Sequence, residues 1–135
     1  MFKSAIPVLP VSDTRRLAGF YADKVGFTVA HADDDYAVLE RDRIELHLWA
    51  AKDESWKQRP AGTPIDSGAE SFLAGTASCR VLVDDIQALY GALNAAGIVH
   101  PNGHLADKDY GLTEFAILDP DNNLVTFFAP TAGAA

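Results

Sequence analysis

A chain of 135 residues, 48% of them hydrophobic, suits a single domain or two small repeated halves around one buried core. Its formal charge of −8 sets it against nucleic acid and anionic membrane. It has no apolar run long enough to span a bilayer and no signal-peptide pattern, so the cytoplasm is the expected compartment. The lone cysteine, Cys79, excludes an internal disulfide; lying in an apolar run, it reads as a buried, inert thiol.

Taken in order, Ala5 to Val11 has strand-like content interrupted by Pro7 and Pro10, neither of which can donate to a ladder. Such a strand belongs at a sheet edge or at a crossing point. Ser12 and Asp13 offer N-cap side chains, and Leu17, Phe20, Tyr21 and Val25 follow at helical spacing, with Gly26 as the C-cap and Phe27 opening the next strand. A strand from Phe27 to His31, an acidic turn at Asp33, Asp34 and Asp35, and a strand from Tyr36 to Arg41 lead through a tight turn near Asp42 to the stretch Arg43 to Ala50. There Ile44, Leu46 and Leu48 alternate with Glu45, His47 and Trp49. Period two gives a strand with one face in a core; the other face carries an acid, an imidazole and an indole, which suits solvent, a metal site or a cavity wall.

Residues 52–75 are rich in Gly, Pro, Ser and charge and read as a linker or a partial lid, with Trp56, Ile65, Phe72 and Leu73 available to pack. The second half opens with a strand from Ala77 to Val83. Asp84 and Asp85 cap a helix whose apolar stripe is Ile86, Leu89, Tyr90 and Leu93, ended by Gly97. A loop carrying His100 and His104 precedes strands from about Leu112 to Leu118 and from Leu124 to Ala129, joined by the turn D-P-D-N-N at 119–123. The order of the first half recurs, and Y-A-V-L-E at 36–40 matches F-A-I-L-D at 115–119. The expected class is α+β: two βαβββ repeats, at about 1–51 and 76–130 of one domain, forming a curved mixed sheet with helices on its convex face.

This repeat, with A-I-P-V-L-P-V-S-D, F-Y-A-D-K-V-G-F, T-E-F-A-I-L-D-P-D-N-N-L and V-T-F-F-A, resembles the vicinal oxygen chelate superfamily, and within it the bleomycin resistance proteins. The resemblance covers nearly the whole chain outside 52–75. It implies a homodimer whose N-terminal strand is exchanged between subunits at Pro7, with two elongated ligand grooves at the interface. It places the superfamily's metal ligands at Ile6, Glu45, Ser78 and Thr126, three of which are not strong donors, so no metal and no cofactor are expected. It also implies that Tyr36 and Tyr110 clasp the flat bithiazole tail of bleomycin.

The residues themselves show no Ser, His and Asp arrangement, phosphate-cradling glycine loop or zinc motif, which favours binding over catalysis. His100 and His104 flank Pro101 and Gly103 and read as loop residues. By strand alternation, Ser78, Arg80 and Leu82, with Thr126 and Phe128, share the cavity face with Glu45, His47 and Trp49. Asp34 and Asp35 would attract a cationic tail; Arg80 fits such a ligand only if an acid pairs with it. The expected ligand-binding set is Asp34, Asp35, Tyr36, Glu45, His47, Trp49, Arg80 and Tyr110. The expected function is sequestration of a bleomycin-type glycopeptide, with no catalysis and no nucleic-acid or membrane partner. A metal-dependent glyoxalase- or dioxygenase-like enzyme, or a binder of another small aromatic metabolite, stays open beside it.

Overall fold

The computed structural model describes residues 1–51, 58–63 and 73–132. The question of linker or lid falls largely on residues outside these, as do Trp56, Ile65 and Phe72. Strand β1 (Val8–Val11), helix α1 (Thr14–Val25), β2 (Thr28–Ala32), β3 (Tyr36–Arg41) and β4 (Ile44–Ala50) make the first half. β5 (Ser78–Leu82), α2 (Ile86–Ala95), β6 (Ala106–Asp107), β7 (Leu112–Leu118) and β8 (Leu124–Pro130) make the second. The strands lie in two four-stranded sheets of the same order, β1-β4-β3-β2 and β5-β8-β7-β6, one from each βαβββ half. Each is mixed: the first and fourth strands of the half pair in parallel and the rest antiparallel.

The prolines account for the place of β1. It pairs with β4 alone, at the sheet edge, and Pro10, which has no N–H to donate, sits within it. The strand is shorter than the apolar run Ala5 to Val11: residues 1–7 lie outside any strand, and 1–6 are exposed. Asp13 caps α1 by accepting from the Arg16 N–H at 3.1 Å. Gly26 closes the helix in the left-handed conformation, φ 83°. Arg41, from the end of β3, donates from Nη1 to the Val25 carbonyl and so satisfies one of the helix's last acceptors. In α2, Asp85 accepts from the Ala88 N–H at 3.1 Å, and Gly97 follows the last helical turn with φ 75°.

One apolar cluster joins the halves. Leu17, Tyr21 and Val25 of α1 and Ile86 and Leu93 of α2 meet Leu9, Leu39, Leu46 and Leu48 of the first sheet and Phe115, Ile117, Val125 and Phe127 of the second. Among the described residues each sheet thus turns one face to its helix and leaves the other open, and strand alternation sorts the side chains between them. The matched pentapeptides are out of phase in this respect. Tyr36 lies on the open face with Val38 and Glu40, whereas Phe115 and Ile117 are buried in the core. The repeat is one of topology and register; that local likeness of sequence does not superpose equivalent faces.

The turn after β7 fastens the halves. Asp119, 3% exposed, accepts the Tyr21 hydroxyl at 3.0 Å and the Asn123 side-chain amide at 3.0 Å. Asn123, fully buried, also donates to the Pro10 carbonyl at 2.9 Å and accepts from the Ala77 N–H at 3.2 Å. Asp121 takes both the N–H and the hydroxyl of Ser12, at 2.7 and 2.8 Å. Burial, then the Asp119 carboxylate, push the Tyr21 hydroxyl far above its ordinary value and keep it a donor. Gly75 passes so close to this turn that a Cβ there would fall 1.9 Å from the Asp121 carbonyl oxygen. With φ 79° besides, the position admits only glycine.

Candidate functional site

On the open face of the first sheet, β4 presents Glu45, His47 and Trp49, and β3 sets Val38 beside His47 and Tyr36 beside Trp49. The imidazole joins two of its neighbours. His47 Nε2 lies 2.9 Å from Glu45 Oε2, and Nδ1 lies 2.7 Å from the Tyr36 hydroxyl. A carboxylate can only accept, so Nε2 carries the proton; in the neutral ring Nδ1 then accepts from Tyr36. The two rings meet edge to face at 5.4 Å between centroids. Tyr36, His47 and Glu45 therefore form a chain of fixed orientation, with Trp49 in register between Pro10 and Tyr36.

The acidic turn that leads into β3 divides its labour. Asp33 Oδ1 accepts the main-chain N–H groups of Asp35 and Tyr36, both at 2.8 Å. Asp34 sits 3.0 Å from Arg15 Nε on α1, an exposed ion pair. Asp35 is exposed, and its carbonyl accepts from the Ala50 N–H at 2.9 Å. Pro7 accepts the His47 N–H at 3.0 Å just before β1 begins.

The second sheet carries a different cluster. Arg80 of β5 donates from Nη2 to Glu114 Oε1 at 2.6 Å, and its guanidinium carbon stands 4.5 Å from the centre of the Phe128 ring. Tyr110, 60% exposed on the loop before β7, lies by the same carboxylate; partial desolvation and then Glu114 raise its hydroxyl above the ordinary value. The Arg80 hydrogen bond holds the Glu114 carboxyl below its usual range. Arg80 thus has its acid, though the partner is Glu114 and not Glu45. Glu114 is the site residue that sequence reasoning missed. Its signal was available: in L-T-E-F-A-I-L it alternates in phase with Leu112, Ala116 and Leu118 and out of phase with the core residues Phe115 and Ile117.

The eight expected residues therefore form two groups on two sheets, Tyr36, Glu45, His47 and Trp49 on one and Arg80 and Tyr110 on the other, with Asp34 and Asp35 at a turn beside the first. The positions a superfamily metal would use do not suit one. Ile6 has no donor, Ser78 and Thr126 offer neutral hydroxyls, and Glu45 is engaged with His47. Among the described residues no three His, Cys, Asp or Glu side chains converge. His100 and His104 serve the loop: His100 Nδ1 accepts from the Asn102 N–H at 2.9 Å, and His104 Nδ1 lies 2.8 Å from the Tyr90 hydroxyl. Cys79 is half-buried, and desolvation raises its thiol, in keeping with an inert side chain.

Paired βαβββ halves, each with an open mixed sheet backed by one helix, agree with a family model. That of the Glyoxalase/Bleomycin resistance protein/Dioxygenase superfamily matches residues 5–127. The chain belongs to this superfamily. It is 49% identical over 124 residues, 92% of this chain and 94% of the relative, to the bleomycin resistance protein of Geobacillus stearothermophilus. It matches that of Staphylococcus aureus strain MRSA252 to the same degree, 49% over the same shares of both chains. Among solved structures it is similar to the bleomycin-binding protein of bleomycin-producing Streptomyces verticillus, complexed with copper(II)-bleomycin. That likeness has a TM-score of 0.71 and 25% identity and covers 96% of this chain and 97% of the other. These relatives are named for binding or resistance, while the superfamily also takes in enzymes. Among the described residues no helix is long and apolar enough to cross a membrane.

Proposed function

We propose that this chain binds a bleomycin-type glycopeptide without altering it and confers resistance by sequestering the drug in the cytoplasm. The observation that carries this reading is the 49% identity, across nearly the whole of both chains, to proteins named for bleomycin resistance. The geometry supports it. A flat heteroaromatic tail can stack on Tyr36 and Tyr110, and acids near the first cluster, Asp35 and Glu45, together with the net charge of −8, attract a cationic group. A cation held against an aromatic face gains about 0.5 to 2 kcal/mol, depending on desolvation. Long-range charge adds mainly to the rate of encounter.

Within one chain the two clusters occupy separate sheets, so a groove that uses both calls for a second copy. Exposed apolar side chains at the open faces support such a homodimer: Leu82 is 64% exposed, Val8 40% and Ile6 39%. The exposed residues 1–6, hinged at Pro7, are the segment that would exchange.

Calorimetric titration with bleomycin tests the function. Saturable binding is expected, and no heat, or an affinity weaker than about 100 μM at low salt, would remove drug sequestration. Tyr110→Ala, at an exposed loop position, is expected to weaken binding by on the order of tenfold while leaving thermal stability unchanged. An unaltered affinity would take Tyr110 out of the site. A metal-dependent glyoxalase- or dioxygenase-like activity is the second reading, favoured by the breadth of the superfamily. Stoichiometric Zn, Ni, Mn or Fe in the purified protein would put it first.

A further inference from the structure

A cation in the middle of a face meant for a cationic drug needs a reason, and the surroundings of Arg80 supply one. Its guanidinium has two partners: Glu114 accepts from Nη2 at 2.6 Å, and the guanidinium carbon lies over the Phe128 ring, 4.5 Å from its centre. The side chain is still 49% exposed, whereas Glu114 is only 9% exposed. The ion pair cancels the charge locally, and with half of the side chain exposed the guanidinium is within reach of an incoming group. An incoming anion would meet the Glu114 carboxylate beside the guanidinium. A planar conjugated group would meet a flat, weakly hydrated plate whose charge is already paired.

We propose that Arg80, backed by Phe128 and pinned by Glu114, is a specificity-determining residue: a stacking plate that selects a planar conjugated segment of the ligand and does not receive anions. The proposal rests on the reading of the chain as a bleomycin binder and adds to it the chemistry that this part of the face selects. Glu114 is a positioning residue, acting through Arg80. What distinguishes this role from simple charge is the shape of the cation. Lysine keeps the charge and the reach but has no plane to stack, so it cannot substitute.

The test is titration of metal-free bleomycin into the wild-type protein and the variants Arg80→Lys, Arg80→Ala and Phe128→Leu, with the melting temperature of each taken alongside. Arg80→Lys and Arg80→Ala are both expected to bind on the order of tenfold more weakly than wild type; the lysine, which keeps a partner for Glu114, is expected to melt close to wild type and the alanine below it. Phe128→Leu, which removes the backing ring but not the ion pair, is expected to weaken binding in the same direction. Inorganic phosphate at constant ionic strength is expected not to compete. Wild-type affinity in Arg80→Lys would show that charge alone matters and overturn the plate, leaving the bleomycin reading intact. Competition by phosphate would overturn it likewise, in favour of an anion receptor. No binding by the wild-type protein would overturn the functional reading and this inference with it.

Discussion

The carboxylate of Asp33 holds two main-chain N–H groups through Oδ1, and its Oδ2 lies 2.8 Å from His31 Nε2. The Asp35 N–H, then His31, then the Tyr36 N–H lower its pKa from an ordinary 3.8 to about 2. All three donors favour the charged form in the folded chain, so the sign of the linkage follows. Folding is stabilised by this group at every pH above its unfolded value, and the contribution is lost as pH falls through about 2. Asp33→Asn is therefore expected to lower the urea midpoint near neutrality. Its deficit against wild type should shrink as pH falls through about 2, where wild-type Asp33 itself becomes protonated. A deficit independent of pH would assign the effect to hydrogen-bond shape alone. Because the same side chain fixes the N–H of Tyr36, the variant is also expected to loosen the start of β3, which a weaker drug affinity would report. The sequence announces an acidic turn at 33–35, but three consecutive acids look alike in it; only the fold separates the one that builds the turn from the one that Arg15 takes.

At the scale of elements, the turn between β7 and β8 does work that its composition did not announce. D-P-D-N-N reads as a turn from residue chemistry alone, and it is one; the Asp119 and Asn123 side chains, however, reach back to Tyr21, Pro10 and Ala77, from 46 to 113 positions away in the chain. Contacts of such separation leave no local pattern. Asn123→Ala would leave the half-buried Ala77 N–H without its acceptor and take from the Pro10 carbonyl one of two donors, the Gly75 N–H remaining, a loss of about 1 to 3 kcal/mol. A fall in melting temperature on the order of 10 °C is expected, with the unfolding slope unchanged. A near-neutral variant would mean that water replaces the amide. Other elements were legible because their signal is local: both N-cap aspartates, both helix-ending glycines and the alternation of β4 follow from backbone sterics and period. The match of 36–40 with 115–119 misled for a related reason. A pentapeptide of alternating size looks the same when slid by one residue, but in a strand that slip exchanges the faces. Glu114 could be read only once the phase of β7 was set by Phe115 and Ile117, which the same slip of one place obscures.

For the whole molecule, the decisive question is what covers the open faces. Two mixed sheets, each backed by one helix, leave Leu82, Val8 and Tyr110 exposed, and the chain begins with a segment in which Met1 and Phe2 touch almost nothing. Apolar side chains that find no core within their own chain are most simply buried against a second copy. Pro7 suits the point of departure, because it fixes the backbone as the chain leaves the sheet edge and its carbonyl still closes the ladder to His47. Removing residues 1–6 separates this arrangement from one in which the segment is idle. β1 from Val8 to Val11 would keep its pairing with β4, and Leu9 and Val11 would stay in the core, so the subunit is expected to fold. If the segment is exchanged, light scattering behind size exclusion should report a dimer for the full chain and a monomer for the shortened one. Bleomycin affinity should fall with dimerisation, since the Tyr36 and Tyr110 clusters would no longer be brought together. A truncated chain that remains dimeric and binds the drug as well as the full one would show that the two faces meet without the segment. A dimer that persists while affinity falls would place residues 1–6 at the ligand itself.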